Sequence, residues 1–371
     1  MASPDPAPPF VLHPPVGDEA PVLFDSPHSG FDWPADFQPA ASRDAILTTC
    51  DLFVDELWAD VPAAGGTLLA ATFPRAYIDT NRAEQDLDPA VLAAPWPQPL
   101  SPSDYSRRGM GLIRRLALPG VPMETAPLSV AAVEHRLAVY YRPYRGALVA
   151  ALDGLHRRHG IVYHLNCHSM KSRGTAMNID ADQLRPDIVV SDRLGTTAAP
   201  LATQWLAARF RAAGFSVKLN DPYRGGDLIA TTGAPTRGRH SIQIELNRSL
   251  YLDESTYARR PDFAAVRAGG RLDGRTVDDA LALEGIDALG LDELDRRYLR
   301  TLATTYGGGP AGLEAIAASI GEDALTLEDV VEPYLLQVGF LARTRQGRRL
   351  TVPAFRHLGM EPPARAEELF D

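Results

Sequence analysis

At 371 residues the chain is longer than one ordinary core, because domains commonly run to about 100–200 residues, and more than one unit is expected. Its 45% apolar and 23% charged composition is that of a globular protein, with no apolar run near the roughly 20 residues of a membrane-spanning helix. A formal net charge of −10 argues against general nucleic-acid affinity for the whole chain, although a local basic patch can still bind. Two cysteines, Cys50 and Cys167, make no disulfide framework and suit a reducing compartment. The proline-rich start has neither a basic n-region nor an apolar h-region, so a cytoplasmic protein is expected.

From about Pro21 to Asn247, β-type runs alternate with helical ones. PVLFD, GTLLAATF, YIDTN, IVYHLN, FSVKLN and HSIQIEL are the predicted strands. Between them Ala45 to Val61, Ala131 to His159 and Asp192 to Ala213 carry helical spacing of Leu, Val and Ala, with Gly65, Gly160 and Gly214 as C-terminal stops. Such alternation builds a largely parallel sheet covered by helices. The proline-rich stretch Asp86 to Pro127 interrupts it and reads as a long loop over the sheet edge. After about Ala258 no alternating strands follow. Leu291 to Thr304 and Leu325 to Val338 are amphipathic helical runs, and FLARTRQGRRLTV is a hairpin with a basic turn, so a winged helix is predicted there.

The chemistry concentrates at strand ends, where open α/β sheets keep their sites. YHLNCHSM delivers His168 to the tip of a predicted strand, and PVLFDSPHSG places His28 in a turn just after another. A hydrolytic zinc site takes about three nitrogen or oxygen ligands. Asp51, at the start of CDLFVDELW, is preferred as the third, ahead of Asp32. Glu245, at the end of the strand HSIQIEL, is the candidate general base, with Arg248, Arg82 or a water as its partner. RAYIDTNR and NDPYRGG offer Arg75, Arg82 and Arg224, whose planar donor forks suit a carboxylate.

PHSG, the aspartate of CDLFVDEL, PRAYIDTNR, the strand ending NCHSM, NDPYRGG and IQIELNRSLYLDE occur in the order of the N-formylglutamate amidohydrolase family. The first 258 residues therefore resemble that family, a branch of the zinc-carboxypeptidase-like hydrolases. The resemblance implies an α/β fold with a mixed, mostly parallel sheet flanked by helices, and one zinc ion on His28, Asp51 and His168. It further implies that Glu245 activates water and that Arg75 polarises the formyl oxygen. Asn81 and Arg82, within an Asp-x-Asn-Arg motif, and Arg224 would hold the carboxylates of a small acidic N-acyl amino acid. N-formyl-L-glutamate would give L-glutamate and formate, a reaction of histidine degradation.

Residues 259–371 carry a second resemblance. GLDELDRRYLRTL, YGGGPAGLEAIAASIGE, TLEDVVEPYLLQVGFLARTRQGRR and AFRHLG are similar to the C-terminal winged-helix domain of the RuvB Holliday-junction helicase. That implies a weak, wing-borne DNA contact through Arg343, Arg348 and Arg349. No GxxxxGK[ST] occurs in the chain, so it contains no P-loop motor. Glu328, Asp329 and Glu332 on the predicted recognition helix make a poor surface for a polyanion. The competing reading is a DNA-binding winged-helix protein with a catalytically silent enzyme-like scaffold.

Overall fold

The computed structural model describes residues 8–269, 291 and 293–363. They fall into two compact units, Met1–Ala280 and Leu281–Asp371.

The first unit is built on seven strands. In chain order β1 is Phe10–His13, β2 Val22–Ser26 and β3 Thr67–Ala71. A small hairpin of β4, Leu116–Leu118, and β5, Val121–Pro122, lies outside the main sheet. Then come β6, Val162–Met170, β7, Ile188–Ser191, β8, Val217–Leu219, and β9, Arg239–Asn247. The sheet order is β1-β3-β2-β6-β9-β7-β8. The β2–β3, β2–β6, β6–β9 and β7–β8 pairs are parallel, and the β1–β3 and β7–β9 pairs are antiparallel. The mixed, mostly parallel sheet expected from the sequence is therefore present.

Burial on both faces explains the strand sequences. Every residue of β2, β3 and β6 is buried, as a sheet covered on both sides demands. Along β9, Ile242, Ile244 and Leu246 alternate with Ser241, Gln243 and Glu245, so one face is apolar and the other is polar although buried. His164, Asn166 and His168 make the matching polar row on β6, where His168 pairs in register with Glu245. The helix Val130–Arg136 runs through a π turn, Leu137–Tyr141, into Arg142–His159, close to the predicted extent. Gly160, at φ 73°, ends it.

Other expectations change. β1 and β7 were not predicted, and YIDTN is no strand. Tyr77 donates its N–H to Pro74 O, Asp79 donates its own to Leu112 O, and the Asp79 side chain accepts from Asn81 N–H. These local and loop bonds replace a ladder. The predicted helix from Ala45 to Val61 is two short ones, Arg43–Leu47 and Val54–Leu57. It breaks at Phe53, which sits at φ 64°, and Asp51 lies in the gap. Asp192 to Ala213 becomes helical only at Pro200–Ala212. The helix Phe263–Gly269 belongs to the first unit: Phe263 meets Phe53 edge-on at 6.2 Å, and Arg267 Nε donates to Asp60 at 2.9 Å.

In the second unit the helices Glu293–Thr304 and Leu313–Ile320 precede a helical run from Ala324 to Gln337 with a π turn at Leu327–Val331. The hairpin β10, Leu341–Thr344, and β11, Gly347–Leu350, follows. Tyr298, Leu299, Leu302, Leu335, Leu350 and Phe355 are among the residues of its own apolar core. The predicted winged helix is present.

Candidate active site

The site is assembled at the C-terminal ends of β2, β6 and β9. His28 follows β2 by two residues, and its carbonyl accepts the Asp51 N–H at 3.0 Å, which fixes the helix gap against the strand-end turn. Gly30 makes this turn possible, since a Cβ there would collide with the backbone of Ala71 and Thr72. His28, Asp51 and Asp79 are fully buried, and His168 is 2% exposed.

Two imidazoles converge on one carboxylate oxygen. His28 Nδ1 is 3.3 Å and His168 Nδ1 3.0 Å from Asp51 Oδ2. The far nitrogens are occupied. His28 Nε2 lies 2.8 Å from Asp79 Oδ1. His168 Nε2 lies 2.7 Å from Asn166 Oδ1, while the same amide donates through Nδ2 to Asp25 at 2.7 Å. That second bond orients the Asn166 amide with Oδ1 towards His168 Nε2, which Asn81 Nδ2 also approaches at 3.0 Å. With the far nitrogens so engaged, both rings turn Nδ1 towards Asp51 Oδ2. Two ring nitrogens and a carboxylate oxygen gathered in a buried place suit a cation. His28, Asp51 and His168 could hold a metal ion: they offer ligand atoms all within 4.8 Å of one another. Asp32 lies exposed and outside this group.

The supporting groups were only partly foreseen. Asp79, predicted within a substrate-binding motif, instead accepts from His28 and from Arg75, whose Nη2 is at 2.7 Å. Burial works to raise the Asp79 carboxyl, yet the Arg75 charge holds it well below the usual range. Arg248, one of the partners considered for Glu245, reaches Asp51 Oδ1 at 2.9 Å instead. Glu245 accepts from Gln243 Nε2 at 2.8 Å, and burial raises its carboxyl above the ordinary range. Beneath the site Asp25 accepts from Tyr144, His164 and Asn166 at 2.7–2.8 Å, a fully buried network that locks the polar row of β6. Its signal in the sequence is the polar alternation HLNCH within an otherwise buried strand.

A cavity of about 170 Å³ opens over these residues. Its wall includes His168, Glu245, Arg75, Asn81, Arg82 and Arg224, which brings the predicted substrate groups and the predicted catalytic ones to one cavity. Asn81 is largely committed. Its Oδ1 accepts from Leu228 N–H at 2.9 Å, and Nδ2 lies 3.4 Å from both Asn166 Oδ1 and Gln243 Oε1. Arg82 stacks on Tyr105 at 4.3 Å. Arg224 is exposed. Both cysteines are free and buried, and burial pushes the Cys50 thiol up to about 11, so neither is a nucleophile.

In the second unit Arg343 and Arg348 are engaged by Glu332. Arg343 Nε donates to Oε2 at 2.7 Å and Arg348 Nε to Oε1 at 2.8 Å. Glu332, expected on the groove-facing surface, is fully buried and also accepts from Tyr298 at 2.8 Å. Arg349 makes no ion pair among the described residues.

A mixed α/β sheet with a histidine–aspartate cluster at its strand ends, beneath a basic cavity, is the architecture of an amidohydrolase. Residues 20–252 match the N-formylglutamate amidohydrolase family, and the chain belongs to it. The crystal structure of N-formylglutamate amidohydrolase from Ralstonia eutropha JMP134 is 42% identical, with a TM-score of 0.70 over 74% of this chain and 98% of that one. A gene product of Agrobacterium tumefaciens shares the fold at 17% identity and a TM-score of 0.51, over 74% of this chain and 96% of that one. Residues 288–359 match the RuvB C-terminal winged helix domain. The RuvB branch-migration subunit of Paracoccus denitrificans is 41% identical over 152 residues, 39% of this chain and 45% of the relative. That of Kosmotoga olearia is 54% identical over 99 residues, 27% and 29%. The chain thus spans less than half the length of these curated relatives. Among the described residues no helix is long and apolar enough to cross a membrane.

Proposed function

We propose that the chain is a zinc-dependent amidohydrolase that releases formate from an N-formyl amino acid, N-formyl-L-glutamate above all. The observation that carries this reading is the convergence of two Nδ1 atoms and Asp51 Oδ2 beside Glu245 at the wall of a basic cavity. The donor set of two imidazoles and a carboxylate fits zinc. Bound there, zinc would lower the pKa of a water molecule towards neutrality and polarise the formyl carbonyl.

The chain's own groups then have defined tasks. Glu245, buried and raised, takes the proton of the attacking water and passes it to the amine nitrogen as the C–N bond breaks. Arg75, fixed by Asp79, donates to the carbonyl oxygen as negative charge develops. Arg82 and Arg224 hold substrate carboxylates, and Asn81 fixes the wall between His168 and Leu228. We propose residues 1–258 as the catalytic domain and 259–371 as a winged-helix domain making a weak DNA contact through its wing. The test of the first reading is a screen of N-formyl, N-acetyl and N-succinyl amino acids by amine release, alongside metal analysis of wild type and His168→Ala. Formate release from N-formylglutamate with stoichiometric zinc, both lost in His168→Ala, is expected. Persistence of both in the variant would overturn it.

A further inference from the structure

The cations around the cavity divide into two groups. Arg75, Arg185 and Arg248 are matched by Asp79, Asp180 and Asp51 at 2.7–2.9 Å. Arg82, Arg114, Lys171 and Arg224 line the same cavity and make no ion pair among the described residues. Arg114 is the extreme case. It is 7% exposed, its Nε is buried without a hydrogen-bond partner, and its guanidinium donates to no group among the described residues. The Nε of Arg82 is likewise buried and unpartnered.

The backbone holds Arg114 in place firmly. Leu112 donates to Asp86 O at 2.8 Å and accepts from Asp79 N–H at 2.9 Å, and Arg115 donates to Gly109 O at 3.1 Å. Leu112 and Ile113 are fully buried. The segment is thus clamped to the stretch of chain that carries Asp79 and Arg82, which fixes the Arg114 backbone at the cavity wall. Desolvation, with Arg75 and Arg82 as like-charged neighbours, lowers its pKa to about 9. A fold keeps such a group only where a partner arrives from outside, because a buried unpaired charge is destabilising on its own.

We infer that Arg114, with Arg82, binds a substrate carboxylate and makes the cavity select a dicarboxylic ligand over a monocarboxylic one. A ligand with a single carboxylate leaves part of this positive wall uncompensated; a second carboxylate neutralises it through charge-assisted hydrogen bonds from two guanidinium forks. This deepens the proposed reading of the cavity as an N-acyl amino-acid site and rests on it for the identity of the natural ligand.

The test uses the full-length metal-loaded protein and two unreactive probes, glutarate and butyrate, with calorimetric titration and thermal midpoints. Neither probe has an amide, so the result is independent of turnover, and formate release separately tests the hydrolase reading. Wild type is expected to bind glutarate at least about tenfold more tightly than butyrate. Arg114→Met should bring the two affinities within about twofold while its ligand-free midpoint stays level or rises, since an unpaired buried cation is gone. Arg114→Lys, which keeps the charge without the fork, should lose about threefold or more for glutarate and nothing for butyrate. Equal binding of the two probes by wild type overturns the inference. So does undiminished glutarate preference in either variant, or a ligand-free midpoint in Arg114→Met that falls as a core truncation would.

Discussion

The Asp79 carboxylate stands 2.8 Å from His28 Nε2, on the side of the ring away from Asp51, and the same carboxylate takes the Arg75 fork. One group therefore sets the tautomer of a candidate metal ligand and the position of the cation proposed to meet the carbonyl oxygen. Asp79→Asn keeps the shape but weakens both. Groups behind a metal-binding histidine are commonly worth about 10–100-fold in metal affinity, and a loss of that size is expected in competition with a chromophoric chelator. An affinity within twofold of wild type would show that Asp79 serves the backbone turn alone.

Glu245 separates base from ligand. It stands opposite His168 in the β6–β9 register, yet it is not one of the three groups that could hold a metal ion. Glu245→Gln should retain bound metal and lose about 10²–10⁴ in kcat, the usual worth of a positioned acid–base group. The sign of its pH effect follows from burial, which raises its carboxyl. The carboxylate form is then lost as pH falls through a value above the ordinary glutamate range. The wild-type kcat/KM should fall on the acid side, and the variant should lack that limb. Metal loss in Glu245→Gln, or a kcat within tenfold of wild type, would refute the assignment.

Gly30 tests whether the strand-end turn really positions His28. The Cβ of Gly30→Ala would enter the space held by the Ala71 and Thr72 backbone, and backbone yields less readily than a side chain. Overpacking of this kind costs about 1–3 kcal/mol. A lowered midpoint in thermal melts together with weakened metal retention is the expected pair of effects. Weakened stability with intact metal binding would separate the turn from the site.

Much of this was legible because the relevant signals are local. Strand-end histidines, the polar row of β6 and the alternation of β9 sit within single segments, so position alone brought out His28, His168 and Glu245. The missed features depend on partners far away in sequence. β7 is four residues long and exists by pairing with β9 and β8; β1 lies in a proline-rich leader and pairs with β3. Arg248 meets Asp51 across 197 residues, which no periodicity reports. YIDTN has a strand's composition, but its backbone bonds run to Pro74 and Leu112. Arg114 left no signal at all, since what marks it is the absence of a partner inside a fold.

Glu332 shows the same limit in the second unit and gives the last prediction. An acidic residue on a recognition helix reads as a groove-facing charge, but here it is buried beneath the hairpin, where Tyr298, Arg343 and Arg348 all donate to it. Glu332→Ala leaves the Tyr298 hydroxyl without its acceptor and frees two guanidiniums, of which Arg343 is already 42% exposed. Removing one partner of a buried ion pair costs about 3–5 kcal/mol; solvent access at Arg343 reduces this, and a loss of about 2–3 kcal/mol is expected. Hydrogen exchange along Glu293–Thr304 should accelerate accordingly, while the formate release proposed for the first unit should stay unchanged. The same ion pairs bear on the wing. Arg343 and Arg348 are held by Glu332, so in mobility shifts with branched DNA at low salt Arg349→Ala should weaken binding more than Arg343→Ala. Removing one arginine that neutralises a phosphate should lower the salt slope by about one. Equal weakening by both substitutions would mean that Arg343 leaves Glu332 to reach the phosphate backbone.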